Sequence, residues 1–144
     1  MLDKIGFILY DKNRINPIFM KGIKMDEFEV IFYDKEDGSM PARDFLLSLD
    51  VKMRAKMSRT IVLLKQNGNK LREPESKSLG DGIMELRAKV GSDISRVLYF
   101  FVVGKKVVLT NGFIKKSDKT PKAEIELAKK YRAEYLSRKE EADE

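Results

Sequence analysis

The chain has neither cysteine nor histidine. The first absence removes any disulfide framework and any thiolate metal site. The second removes the side chain best suited to proton transfer near neutral pH, which is also the commonest metal ligand. Catalysis by this sequence therefore falls to Lys, Arg, Tyr, Glu or Asp. No apolar run approaches the roughly 20 residues that span a bilayer. The stretch Ile5 to Tyr10 is too short for the apolar region of a signal peptide, and no small-residue cleavage site follows it. The chain reads as cytosolic, with no membrane partner. There is no GxxxxGKS or GxxxxGKT phosphate loop, no GxGxxG fingerprint and no cluster of metal-ligating residues. No metal and no cofactor is expected.

What is present is a chain of 144 residues, enough for one domain with a modest core, carrying a net charge of +6. Such a charge suits nucleic acid or another acidic partner, and equally serves plain solubility. Residues 1–24 lack a clear period and contain Asn16-Pro17. They read as a poorly packed extension or an upstream start before a domain at 25–136, the alternative being an extra strand around Gly6 to Tyr10. The segment 137–144 reads as a charged, fraying tail.

From Phe28 to Tyr33 apolar residues alternate as in a strand. Ser39 and Pro41 read as the cap and first turn of a short helix carrying Phe45, Leu46 and Leu49. Asp50 caps a second helix, in which Met53, Met57, Ile61 and Leu64 recur at helical spacing and Asn67-Gly68 is the stop. Residues 69–82 read as a loop. Met84 to Val90 alternates again, Gly91-Ser92-Asp93 turns the chain, and Ile94 to Val103 is apolar enough for a central strand. Gly104-Lys105 fits a two-residue hairpin leading into a last strand, Lys106 to Ile114. Thr120 caps a final helix with Pro121 in its first position. The order β-α-α-β-β-β-α predicts an α+β fold with a small, mainly antiparallel sheet backed by helices.

Three groups of residues carry potential chemistry. Arg87 and Lys89 lie on the face opposite Leu86, Ala88 and Val90. They form either a binding face or an ordinary solvated one, with Glu85 as a surface ion partner. Arg96 stands inside an apolar strand and cannot shed its charge. It needs water, a carboxylate such as Asp93 or Glu85, or a phosphate. Register decides whether these groups meet: two or four residues after Val90 put Arg96 on the face of Arg87 and Lys89, and three turn it away. The two-residue hairpin pairs Arg96 with Phe113 and puts Asn111 on the same face. The third group is Lys115, Lys116, Lys119 and Lys122, interleaved with Phe113 and Ser117. Cations beside an aromatic and a helix start suit single-stranded RNA, or they are a solubilising loop with Phe113 in the core. Asp118 and Asp93 read as turn residues.

At Met84-Glu85-Leu86-Arg87, Arg96-Val97-Leu98-Tyr99-Phe100, Asn111 to Lys116 and Lys119-Thr120-Pro121-Lys122, the sequence resembles the RelE/ParE toxin superfamily, specifically its HigB-like, phage Gp49-like branch. The resemblance covers about Glu27 to Arg132. It implies a RelE-like fold and the toxin of a type II toxin–antitoxin pair. Such a toxin is a metal-independent endoribonuclease (an mRNA interferase) that cuts mRNA on the ribosome and inhibits growth. Arg87 and Arg96 would hold the scissile phosphate, Lys115 or Lys116 would supply transition-state charge, and Lys89 would add affinity. Asn111, Phe113, Lys119 and Lys122 would contact RNA. Tyr99, by alternation, faces away from Arg96. The branch usually has His where this chain has Asn111, which cannot transfer a proton. The implied partners are the ribosome, mRNA and a helix-turn-helix antitoxin, with DNA reached only through the antitoxin. A ParE-like inhibitor of DNA gyrase and an inactive binding module are the alternatives.

Overall fold

The computed structural model describes residues 27–143, preceded by two short strands, β1 (Leu9–Asp11) and β2 (Arg14–Ile15); side chains are described from 27 to 139. The rest of the segment 1–24 lies outside the described residues. The elements that follow are β3 (Glu29–Phe32), α1 (Pro41–Ser48), α2 (Val51–Asn67), β4 (Ser76–Ser78), β5 (Met84–Val90), β6 (Asp93–Val102), β7 (Lys106–Lys115) and α3 (Lys122–Asp143). The fold is α+β, on a sheet ordered β1-β2-β3-β7-β6-β5-β4. The β3–β7 pair is parallel and the others are antiparallel. β4 lies inside the stretch read as a loop. Its sequence, Ser-Lys-Ser, has no apolar residue to betray it; what makes it a strand is its pairing with Met84–Leu86.

Helices cover both faces of the sheet. Val30, Phe32, Leu86, Val97, Tyr99, Val107 and Leu109 meet Leu46, Met53, Met57, Ile61 and Leu64 of α1 and α2 in the larger core. Ile31, Tyr33, Leu98, Phe100 and Val108 meet Ala128 and Tyr131 of α3 in the smaller one. Burial on both sides explains why β6 reads as an unbroken apolar run. Asp50 caps α2 by accepting from the Met53 N–H at 2.9 Å. α2 ends at Gly68, at φ 53°, where an added Cβ would lie 2.0 Å from the Phe28 ring.

Two expected caps are not made. Ser39 bonds Asp37 instead, leaving Met40 at the start of α1 without a side-chain cap. Thr120 turns its hydroxyl inward to Glu85, and α3 begins one residue after Pro121, whose carbonyl accepts from Glu124 and Ile125. No helix among the described residues is long and apolar enough to cross a membrane.

Candidate functional site

The turn between β5 and β6 has two residues, Gly91 and Ser92, because Val90 pairs with Asp93. Arg87 therefore lies directly opposite Arg96, on one face of the sheet. The β6–β7 turn differs from expectation. Val102 pairs with Lys106, so Val103, Gly104 and Lys105 form a three-residue turn. An irregularity at Thr110 then restores the register: Tyr99 pairs with Leu109 but Leu98 pairs with Asn111. The Thr110 hydroxyl bonds the Leu98 carbonyl at 3.1 Å. Without this bulge Asn111, Phe113 and Lys115 would share the face of Val107 and Leu109, under α1. With it they turn to the α3 side, and Arg96 pairs with Phe113 as expected.

Three rungs result across β5, β6 and β7: Glu85–Leu98–Asn111, Arg87–Arg96–Phe113, and Lys89–Ile94–Lys115. In the second rung, Arg96 has no solvent exposure. It donates to the carbonyls of Ser117 and, at 3.0 Å, Asp118, and lies 3.9 Å from Glu85. Its guanidinium stands 5.8 Å from the centroid of the half-buried Phe113 ring. Burial lowers its pKa and the Glu85 carboxylate raises it, and a guanidinium in a protein stays charged regardless. Arg87 is 17% exposed; it bonds Glu85 at 2.5 Å and the Asp118 carbonyl at 2.7 Å. Two guanidiniums thus converge on one oxygen, the Asp118 carbonyl.

Glu85 meets both arginines that the sequence offered it, but in the interior rather than at the surface. Its carboxylate is completely buried, and it binds Arg87, Thr120 and Arg96. The segment 116–121 is consequently a strap held down by a three-charge cluster. Asn111, in the first rung, is buried and donates to Glu124 of α3, at 3.1 Å to the carboxylate and 3.3 Å to the carbonyl. The third rung is open: Lys89 is exposed and Lys115 partly so. Lys116, Lys119 and Lys122 are exposed along the strap and the first turn of α3. Tyr99 lies on the opposite face, bonded to Ser76. Arg87 and Lys89 share the open end of the ladder with Lys115, whereas Arg96 and Asn111 are enclosed.

An open groove of about 780 Å³ adjoins this end, lined by Arg87, Lys89, Ile94 and Asp118 and by Lys56 and Arg59 of α2 among others. Asp118 is 88% exposed, its carboxylate 3.7 Å from Arg87. The α2 cations were missed because only the apolar positions of that helix were read. The signal was there: between Val51 and Asn67 stand Lys52, Arg54, Lys56, Arg59 and Lys65, with no acid. Among the described residues no three metal-ligating side chains gather.

A mixed sheet with helices on both faces, and a groove beside it lined by four cations and two carboxylates, defines a small α+β domain. The chain belongs to the family "Phage derived protein Gp49-like (DUF891)", whose model matches residues 44–133. This is a toxin–antitoxin-associated family related to RelE and HigB. Comparison with curated proteins gives no match.

Proposed function

We propose that the chain is the toxin of a type II pair and cuts mRNA on the ribosome, neutralised by a helix-turn-helix antitoxin. The observation that carries this reading is the ladder, which gathers Arg87, Lys89 and Lys115 at one open end beside the groove. A ribose 2′-OH attacks the adjacent phosphorus, a 2′,3′-cyclic phosphate forms as the P–O5′ bond breaks, and the leaving 5′-oxygen takes a proton from solvent. Arg87 and Lys115 stabilise the charge that builds on the phosphoryl oxygens. Lys89 adds affinity for the neighbouring phosphate. Arg96 acts through position: it holds the strap that carries Asp118. Asn111 is tied to α3 and transfers no proton. Asp118 lines the groove beside Arg87 and in this reading accepts the 2′-OH proton.

The test is induction of the chain without its neighbour gene, with mRNA ends mapped within minutes. The expected result is cleavage inside translated codons, lost in Arg87→Ala and slowed in Asp118→Asn about 10²-fold or more, the usual worth of a positioned base. Intact mRNA would sink the reading. Asn111 favours one other reading, inhibition of DNA gyrase by binding, because that needs no proton transfer; DNA-damage signals with intact mRNA would establish it.

A further inference from the structure

We propose that the outer edge of β5 is a docking site for an extended acidic peptide, which adds a short strand there. The inference rests on the toxin reading for the owner of that peptide, the antitoxin. β4 pairs with β5 only at Met84, Glu85 and Leu86, and its last contact is the Arg87 N–H on the Glu75 carbonyl at 2.9 Å. β5 runs on to Val90. The period of the strand turns the N–H and C=O of Lys89 to that same outer side. The Lys56 ammonium caps the Lys89 carbonyl there. Lysines guard open edges in this way, and an acidic side chain can draw such an ammonium off.

The groove is built around this edge. Its lining comes from both faces of the sheet, with Lys56 and Arg59 of α2 on one side and Arg87 and Asp118 on the other. Arg87, Ala88 and Lys89 of β5 line it between the two. Val62, Leu63, Pro74 and Ile94 add apolar surface. Four lining cations face two carboxylates, Glu75 and Asp118, which favours an acidic occupant. A strand of alternating acidic and apolar residues sends one set to the cations and the other to the apolar wall. No aromatic lines the groove, so RNA bases find no stacking platform on this side. Peptide and mRNA would share Arg87 and Lys89, so each excludes the other.

The probe is a fluorescent peptide of alternating Glu and Val, titrated into the full chain and read by anisotropy. Alongside it runs the same peptide N-methylated on the residues that pair with the edge. Loss of two edge hydrogen bonds should weaken binding about tenfold, while methylation of the other set leaves it unchanged. Lys56→Glu with Arg59→Glu should weaken it by a similar factor. Lys89→Pro, which removes an outward N–H at an edge where proline is tolerated, should do the same. Several results overturn the proposal: no binding, equal binding of both N-methylated forms, indifference to the charge reversals, or blockage of the edge by a second copy of the chain seen in sedimentation. Displacement of the peptide by a single-stranded RNA, with no backbone effect on the peptide itself, overturns it too. Failure here with mRNA still cut removes only this inference. Peptide binding with mRNA intact removes the nuclease reading and leaves the edge site standing.

Discussion

Arg96 and Glu85 occupy the interior of the molecule as a pair, and their other partners are the Ser117 and Asp118 carbonyls, the Thr120 hydroxyl and Arg87. A buried ion pair contributes little net stability over an apolar pair, but removing one partner strands the other. Glu85→Ala is therefore expected to cost about 3–5 kcal/mol in urea unfolding, with hydrogen exchange rising across 116–121 as Thr120 and Arg87 lose their acceptor. Arg96→Ala carries the same penalty, so lost toxicity in that variant would not separate chemistry from folding; Arg87, at the exposed end, does. Tyr33 gives a second test at this scale. Burial, then the Glu134 carboxylate it bonds, raise its pKa well above the ordinary tyrosine value. A raised pKa contributes stability that is fully present below the unfolded value, about 10, and is lost as pH rises through the folded one. Tyr99, raised by burial, acts in the same sense. Lys65, lowered by burial, acts in the opposite one. Urea midpoints should thus fall less steeply above about pH 10 in Tyr33→Phe than in the parent; identical slopes would show that Tyr33 is not protected from ionisation.

Among the elements, β7 decides what the molecule can do, because its bulge at Thr110 changes which face the last five residues present. The apolar pattern of Val107 to Leu109 and the cations after Phe113 were legible from the sequence. The bulge was not, since a β-branched Thr reads as ordinary strand and the added turn residue, Val103, looks like the end of β6. The two differences cancel, which is why Arg96 meets Phe113 as expected through a turn of different length. The α2 stop was legible for a sound reason: Gly68 meets both a positive φ and the Phe28 ring. The caps at Ser39 and Thr120 were misread because a hydroxyl can bond a nearby carboxylate instead, and spacing along the chain does not show which carboxylate is near. Glu85 was expected at the surface for the same reason: its pairing with Arg87 and Arg96 was legible, but its bond to Thr120, far along the chain, was not. Gly68→Ala forces a Cβ into the Phe28 ring and an unfavourable backbone region. It is expected to destabilise the protein by about 3 kcal/mol, read as a lower urea midpoint with an unchanged slope.

For the molecule as a whole, the surplus of +6 becomes informative once it is located. Lys52, Lys56 and Arg59 on α2, Arg87 and Lys89 on β5, and Lys115, Lys116, Lys119 and Lys122 beyond lie on elements that converge on the open end of the ladder. A charge kept only for solubility has no reason to cluster, whereas phosphate contacts do. The two accounts differ in their salt dependence. Each phosphate neutralised on a single strand releases condensed counterions, so log K falls with log salt at about −0.7 per contact. Lys89→Ala and Lys115→Ala, each tested with single-stranded RNA, should therefore weaken binding and reduce the magnitude of that slope by about 0.7. Lys70→Ala, in the turn that follows α2 and exposed, removes the same unit of net charge and should leave the slope unchanged. If all three variants shift affinity alike and the slope stays constant, the protein attracts RNA only through its total charge, and the ladder is not where RNA sits.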